Sequence, residues 1–141
     1  MGEKAKVEKF VKSFLNSWMS YDTGALKSMI LEDKNAPHIG TDADEYIVGK
    51  KALLSRFESI SRTGVGLSTK IKQKQITIAG NNRAAHFALK FDTKVYKNGK
   101  LVKNIDNVRS TGFLVKKGKE WKLAGSHVSL PAKSRVVEYK K

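Results

Sequence analysis

The chain has no cysteine among its 141 residues. That excludes disulfides, thiolate zinc sites and cysteine nucleophiles, and it is compatible with a cytoplasmic location. Proline occurs only twice, at Pro37 and Pro131. Pro37 disfavours helix at Ala36, and Pro131 closes the last strand-like run. No apolar run approaches the roughly 18 residues that a membrane-crossing helix needs. The amino terminus, Met1 to Lys6, has no apolar signal core, and Lys6 stands where a myristoylation signal carries a hydroxyl. Negative charge is scarce, with 13 acidic residues against 28 basic ones. No glycine-rich phosphate loop, nucleophile elbow or catalytic triad is visible.

What is abundant is lysine. The net charge is +15, and only five of the basic residues are arginine. Arginine is the residue suited to bidentate phosphate recognition. The lysines are dispersed over helices, strands and turns, so salt-sensitive adsorption to polyanions is expected, without specific nucleic-acid binding. The length suits one domain with a sizeable core. Residues 1–131 read as that domain and residues 132–141 as a basic tail.

Hydrophobic periodicity divides the chain into helices followed by strands. Val7, Phe10, Val11, Phe14, Leu15 and Trp18 form one helical face over residues 4–20. Asp22 is placed to cap a short second helix carrying Leu26, Met29 and Ile30. Leu53, Leu54, Phe57 and Ile60 mark a third, over residues 50–61. Four long strand-like runs follow, over residues 67–78, 83–96, 101–115 and 120–130. The Asn98-Gly99 step is a strong hairpin signal. Ala85, Phe87, Leu89, Phe91, Thr93 and Val95 share one face of the second run, with His86 on the other. The plan is α+β: three N-terminal helices packed in a strongly curved antiparallel sheet, with a pocket at its open end.

Strict alternation in the last two runs gives the candidate site. It puts Arg109 on a face with Phe113 and Val115, and His127 on a face with Trp121 and Leu123. A buried guanidinium needs a carboxylate, because an unpaired buried charge costs several kcal/mol. The compact acidic cluster Asp42, Asp44 and Glu45 is the expected source, with Asp42 or Glu45 facing Arg109. Removing Arg109 alone is then expected to cost about 3 kcal/mol or more. The pair is either a structural tie or an anion anchor. His127 is either an inert core histidine or a pocket base near neutrality. His38 precedes the acidic loop and is placed at its rim. The acidic spacing is not that of an EF-hand, and a two-histidine site would need His38 and His127 together, so no metal and no cofactor are expected. Of the aromatic residues, mostly core, one or two are expected to line the pocket.

Four segments resemble a known family: Asn16-Ser17-Trp18 before Tyr21-Asp22; Gly40 to Tyr46 leading into Val48-Gly49-Lys50; Arg109 to Phe113; and Trp121 to Ser129. Together they are similar to the SnoaL-like branch of the NTF2-like superfamily. The resemblance implies a conical α+β barrel of the cystatin-like kind and sheet-to-sheet homodimers. It does not fix an activity, since the superfamily holds isomerases, cyclases, dehydratases and non-catalytic domains.

Three functional readings stay open. The first is a protein that binds a small organic ligand, with Arg109, His127, Glu45, Trp18, Phe91 and Thr41 around it. The second is an isomerase- or dehydratase-type enzyme that moves a proton through His127 or Asp42. The third is a non-catalytic dimerisation domain with an occluded cavity.

Overall fold

The computed structural model describes residues 2–138. Three helices, α1 (Glu3–Met19), α2 (Thr23–Met29) and α3 (Lys50–Ser61), precede the long strands. A short hairpin of β1 (Pro37–Ile39) and β2 (Tyr46–Val48) lies between α2 and α3. The long strands are β3 (Val65–Ala79), β4 (Ala84–Lys97), β5 (Lys100–Lys117) and β6 (Glu120–Ser129). All six make one curved, unclosed sheet in the order β2-β1-β6-β5-β4-β3. Its pairings are antiparallel except β1 with β6, where His38 lies opposite Ser126 and Ile39 opposite His127. Residues 139–141 of the expected basic tail lie outside the described residues. No described helix is long and apolar enough to cross a membrane.

The helices form where the apolar stripes say they should. On α1, Val7, Val11, Phe14 and Leu15 are buried, and burying such side chains stabilises by about 1.5–3 kcal/mol each. Glu3 fixes the start of α1. Its carboxylate meets Lys116 Nζ at 2.7 Å and Lys6 Nζ at 3.2 Å, and accepts from Trp121 Nε1 at 3.0 Å. The Asp22 side chain caps α2 by accepting from Ala25 N–H. The helices cover the inner face of the sheet, where Phe87, Leu89, Phe91, Leu114, Trp121 and Leu123 complete the core. The sheet ends in two different edges, the three-residue β2 and the fifteen-residue β3. Along β3, Lys70, Lys72 and Lys74 are exposed, and the register shifts between Ile71 and Gln73.

β4 alternates as its sequence predicts, with Ala85, Phe87, Leu89, Phe91 and Thr93 buried and His86 exposed. β5 and β6 do not. Opposite Phe91 and Thr93 of β4 stand Val108 and Ile105 of β5, so β5 carries an extra residue there, and Asn107 adopts φ 58°. On β6 the shift falls between Phe113/Gly125 and Leu114/Leu123, which leaves Ala124 as the extra residue. The inward residues of β5 are therefore Val108, Ser110, Gly112 and Leu114. Phe113, an apparent core residue, is 48% exposed on the outer face. Gly112 is the inward glycine that lets the buried Phe87 ring close over β5. A Cβ there would overlap that ring.

Both expected orientations are overturned: the extra residue on β6 turns His127 away from the face of Trp121 and Leu123, while Arg109 does share a face with Phe113 and Val115, but that face is the outer one. Both side chains are exposed on the outer face. Arg109 donates to the Leu130 carbonyl at 3.3 Å. Among the described residues no carboxylate lies within salt-bridge distance of it.

Candidate functional site

A cavity of about 330 Å³ opens between the helices and the inner face of the sheet. α1 supplies Phe14, Trp18 and Met19 to its wall, and α3 supplies Leu53, Phe57 and Ile60. Phe91, Val108 and Val128 rise from the sheet. The Trp18 ring stands edge-on to Phe91, with centroids 6.3 Å apart. Trp18 and Phe91 both line the cavity. So do Thr41, Asp42 and Glu45. Arg109 and His127 do not.

The mouth is built by the acidic loop, which is a tight turn rather than an open cluster. Gly40 N–H donates to the Glu45 carbonyl at 2.8 Å, and Glu45 N–H to that of Asp42 at 2.9 Å. The Glu45 carboxylate turns back to accept from Asp42 N–H at 3.0 Å. Glycine at Gly40 leaves room for this turn, because a Cβ there would crowd the Glu45 side chain, 2.9 Å from its Cβ. An arginine does tie the loop down, but it is Arg56 of α3. Its Nη2 reaches Asp44 Oδ2 and the Asp44 carbonyl, each at 3.2 Å. Arg56 also lines the cavity.

Tyr21 sits beside this mouth. It follows α1 in the left-handed region, φ 51°, an uncommon conformation for an aromatic residue. That geometry turns its ring against Phe57, with centroids 6.1 Å apart, and onto the cavity wall. Burial, with a smaller push from the Glu45 charge, raises its phenol to about 12. The hydroxyl therefore stays protonated and is available as a donor.

The deep wall holds a histidine that the sequence pattern places only at the rim. His38 is 2% exposed, and its Nδ1 lies 2.8 Å from Ser126 Oγ. Among the described residues neither its buried Nε2 nor Thr93 Oγ1 has a hydrogen-bond partner. Both residues line the cavity, as do Ser110 and Ser126. Burial holds the His38 imidazole down to about 4, so it is neutral at physiological pH. Its place next to Pro37, before the acidic loop, is the signal the sequence offers. The parallel pairing of β1 with β6 that buries it is not readable there. His38 and His127 sit on opposite faces of these adjacent strands. Among the described residues no group of three or more metal-binding side chains forms.

A family model described as a SnoaL-like domain matches residues 7–133. The chain belongs to the SnoaL-like domain family. Solved structures of the same fold agree. A nuclear transport factor 2 (NTF2-like) superfamily protein from Salmonella enterica is 18% identical, with TM-score 0.80, over 98% of this chain and 97% of that one. A Streptomyces avermitilis protein named a "putative dehydratase from the NTF2-like family" is 15% identical, with TM-score 0.78, over 91% of this chain and 95% of that one. A cystatin-like fold protein from Burkholderia xenovorans is 17% identical, with TM-score 0.67, and 92% of each chain is covered. At such identities the likeness concerns the fold. No curated protein matches the chain in sequence. The SnoaL-like fold accounts for the position of the cavity, between helices and the hollow of a bent sheet, and leaves its lining to this chain's own residues.

Proposed function

We propose that this SnoaL-like domain binds a small organic molecule in the cavity between α1, α3 and the inner face of the sheet. The observation that carries the reading is the cavity itself. Its volume of about 330 Å³ falls in the range of small-molecule sites. Its walls are largely aromatic and aliphatic, with a few polar groups among them. The test is native mass spectrometry of freshly purified protein, followed by solvent extraction. A retained small molecule, lost when Val128→Trp fills the cavity, is the expected result. An empty protein whose melting temperature no small molecule raises would refute the reading.

One observation favours a catalytic variant. Asp42 and Tyr21 flank the same mouth, so a carboxylate base and a neutral hydroxyl donor face one ligand space. An isomerase- or dehydratase-type proton transfer would then use Asp42, with His127 playing no part. Asp42→Asn should abolish solvent-deuterium exchange into a bound carbonyl compound while leaving its binding intact.

The domain is also proposed to form a homodimer through the outer face of the sheet. There the exposed Phe113 is flanked across the strands by His86 and Gly125. A symmetric pair of such faces would cover that ring. Light scattering at micromolar concentration should report a dimer, and Phe113→Arg a monomer. A wild-type monomer would remove this part of the proposal.

A further inference from the structure

The cavity floor holds a hydroxyl with nothing to bond. Ser110 of β5 is 5% exposed and lines the cavity. Among the described residues its side chain has no hydrogen-bond partner, although folded proteins satisfy the large majority of buried polar groups. The register sets a second hydroxyl beside it. On β6, Val128 stands opposite Ser110 and Ser126 opposite Gly112, so Ser110 and Ser126 are diagonal neighbours on the inner face. Such neighbours have Cα atoms about 7–8 Å apart and Cβ atoms closer. Two hydroxyls at that spacing can converge on one oxygen placed between them, each at a hydrogen-bond length of about 2.8 Å. The Phe87 ring, closed over Gly112, walls this spot on the side of β4.

Ser126 is already oriented. Its Oγ lies 2.8 Å from His38 Nδ1. A hydroxyl has one proton to donate and two lone pairs that accept. If Ser126 donates to His38 it still accepts from a ligand, and if it accepts from His38 it still donates. His38 therefore positions Ser126 without using it up. On the other side of Ser110 the floor is apolar. Val108 is two residues along β5 and lies opposite Phe91 of β4. Trp18 stands edge-on to Phe91, with centroids 6.3 Å apart. The two residues from Ser110 to Val108 span about 7 Å, the length of a fused-ring compound.

The charges are placed elsewhere. The acidic and basic side chains that line the cavity are Asp42, Glu45 and Arg56, all at the mouth. No lysine, arginine or carboxylate lines it from the sheet strands, and burial keeps His38 neutral. An anionic group on the floor would have no counter-charge, at a large desolvation cost.

We infer that the molecule held here is uncharged and carries a hydroxyl or carbonyl oxygen that sits between Ser110 and Ser126, with its ring body against Val108, Phe91 and Trp18. This deepens the small-molecule reading and rests on it. Phenols, ring alcohols and ring ketones are the chemical class that fits.

The test uses three probes of one shape, naphthalene, 2-naphthol and 2-naphthoate, measured calorimetrically with the full-length protein near pH 7.5. The naphthol should bind about tenfold more tightly than naphthalene, and the naphthoate more weakly than the naphthol. Ser110→Ala and Ser126→Ala should each weaken naphthol binding by roughly tenfold, in line with the loss of one net hydrogen bond. Neither should change naphthalene binding beyond about threefold. Ser110→Ala removes a hydroxyl that no protein group bonds, so it carries the test if Ser126→Ala disturbs His38. Naphthalene binding as tightly as the naphthol, the naphthoate binding most tightly, or a naphthol preference that survives in Ser110→Ala would each refute the shared oxygen site while leaving the small-molecule reading in place. Failure of all three probes to bind would take down the small-molecule reading itself.

Discussion

Replacing His38 with phenylalanine should make the protein more resistant to mild acid. In the native state burial holds the imidazole down to about 4, against an ordinary value of 6.5. The unfolded chain therefore binds a proton at His38 between these values while the native state does not. Stability rises with pH wherever the unfolded state binds more protons, so it must fall as pH drops from about 6.5 and level off near 4. At about pH 4.5 a gap of this size costs the native state roughly 2.5 kcal/mol, from about 1.36 kcal/mol per unit of pKa difference. His38→Phe loses the Ser126 contact, worth about 1 kcal/mol, but also removes the unpaired Nε2, so near pH 7.5 the two proteins should agree within about 1 kcal/mol. At about pH 4.5 the variant should be the more stable by roughly 2 kcal/mol, or about 6 °C in Tm at some 3 °C per kcal/mol. Urea denaturation followed by tryptophan fluorescence, repeated at half-unit steps of pH, measures the difference directly. Parallel stability curves for the two proteins across this range would refute the argument that His38 is buried and neutral.

Three further outcomes follow from the fold. Gly112→Ala should cost about 1–3 kcal/mol in urea denaturation, because the added Cβ meets the ring of Phe87, which is buried in the core. Glu3, held down to about 2 chiefly by the Lys116 hydrogen bond, stabilises the native state fully above its ordinary 4.5 and progressively less as pH falls toward 2. Glu3→Gln should therefore flatten the acid limb of thermal stability in that window, which lies below the His38 window. Arg109→Ala should change stability by no more than about 0.5 kcal/mol, since the side chain is exposed and bonds a carbonyl, that of Leu130. A thermal scan showing a loss of about 3 kcal/mol, the cost of breaking a buried ion pair, would contradict the outward orientation of Arg109.

The helices and the strand order of the long meander are legible in the sequence because their signals are local. The α1 stripe keeps its period from Val7 to Leu15, and Asp22 and Gly99 sit where a cap and a turn need them. β4 is legible on both faces because the extra residues beside it fall on its neighbours, β5 and β3. The site is half legible. Trp18, Phe91, Thr41, Asp42 and Glu45 do meet at the cavity. Arg109 and His127 are misplaced for two reasons: Phe113, taken for core, marks the outer face that Arg109 shares, and a bulge on β6 separates His127 from the face of Leu123. In β5 the inward residues Ile105 and Val108 are three apart, and in β6 so are Leu123 and Ser126. A bulge reverses parity beyond it, and nothing in the composition near Ala124 announces one. Asn107 is the one hint on β5, since asparagine tolerates positive φ. The large, exposed Phe113 reinforces the wrong face. Charge alone pairs the acidic loop with the wrong arginine, because the β1–β2 hairpin folds toward α3, a long-range fact that brings Arg56 to Asp44.

The lysines on β3 bear on how this protein behaves in a crowded solution. A fifteen-residue strand with one side unpaired is a template onto which any extended chain could add, and long open edges of this kind seed intermolecular sheets. Lys70 and Lys74 set like charges along that edge, and at Lys72, whose ammonium turns across the sheet to Asp92 and Asn107, an irregularity breaks its straight run of donors and acceptors. The other edge, β2, is protected by being three residues long. Part of the positive charge that a composition count would assign to a polyanionic partner thus serves as a guard against self-association, and chemical acetylation of these lysines should turn the protein toward fibrous aggregates.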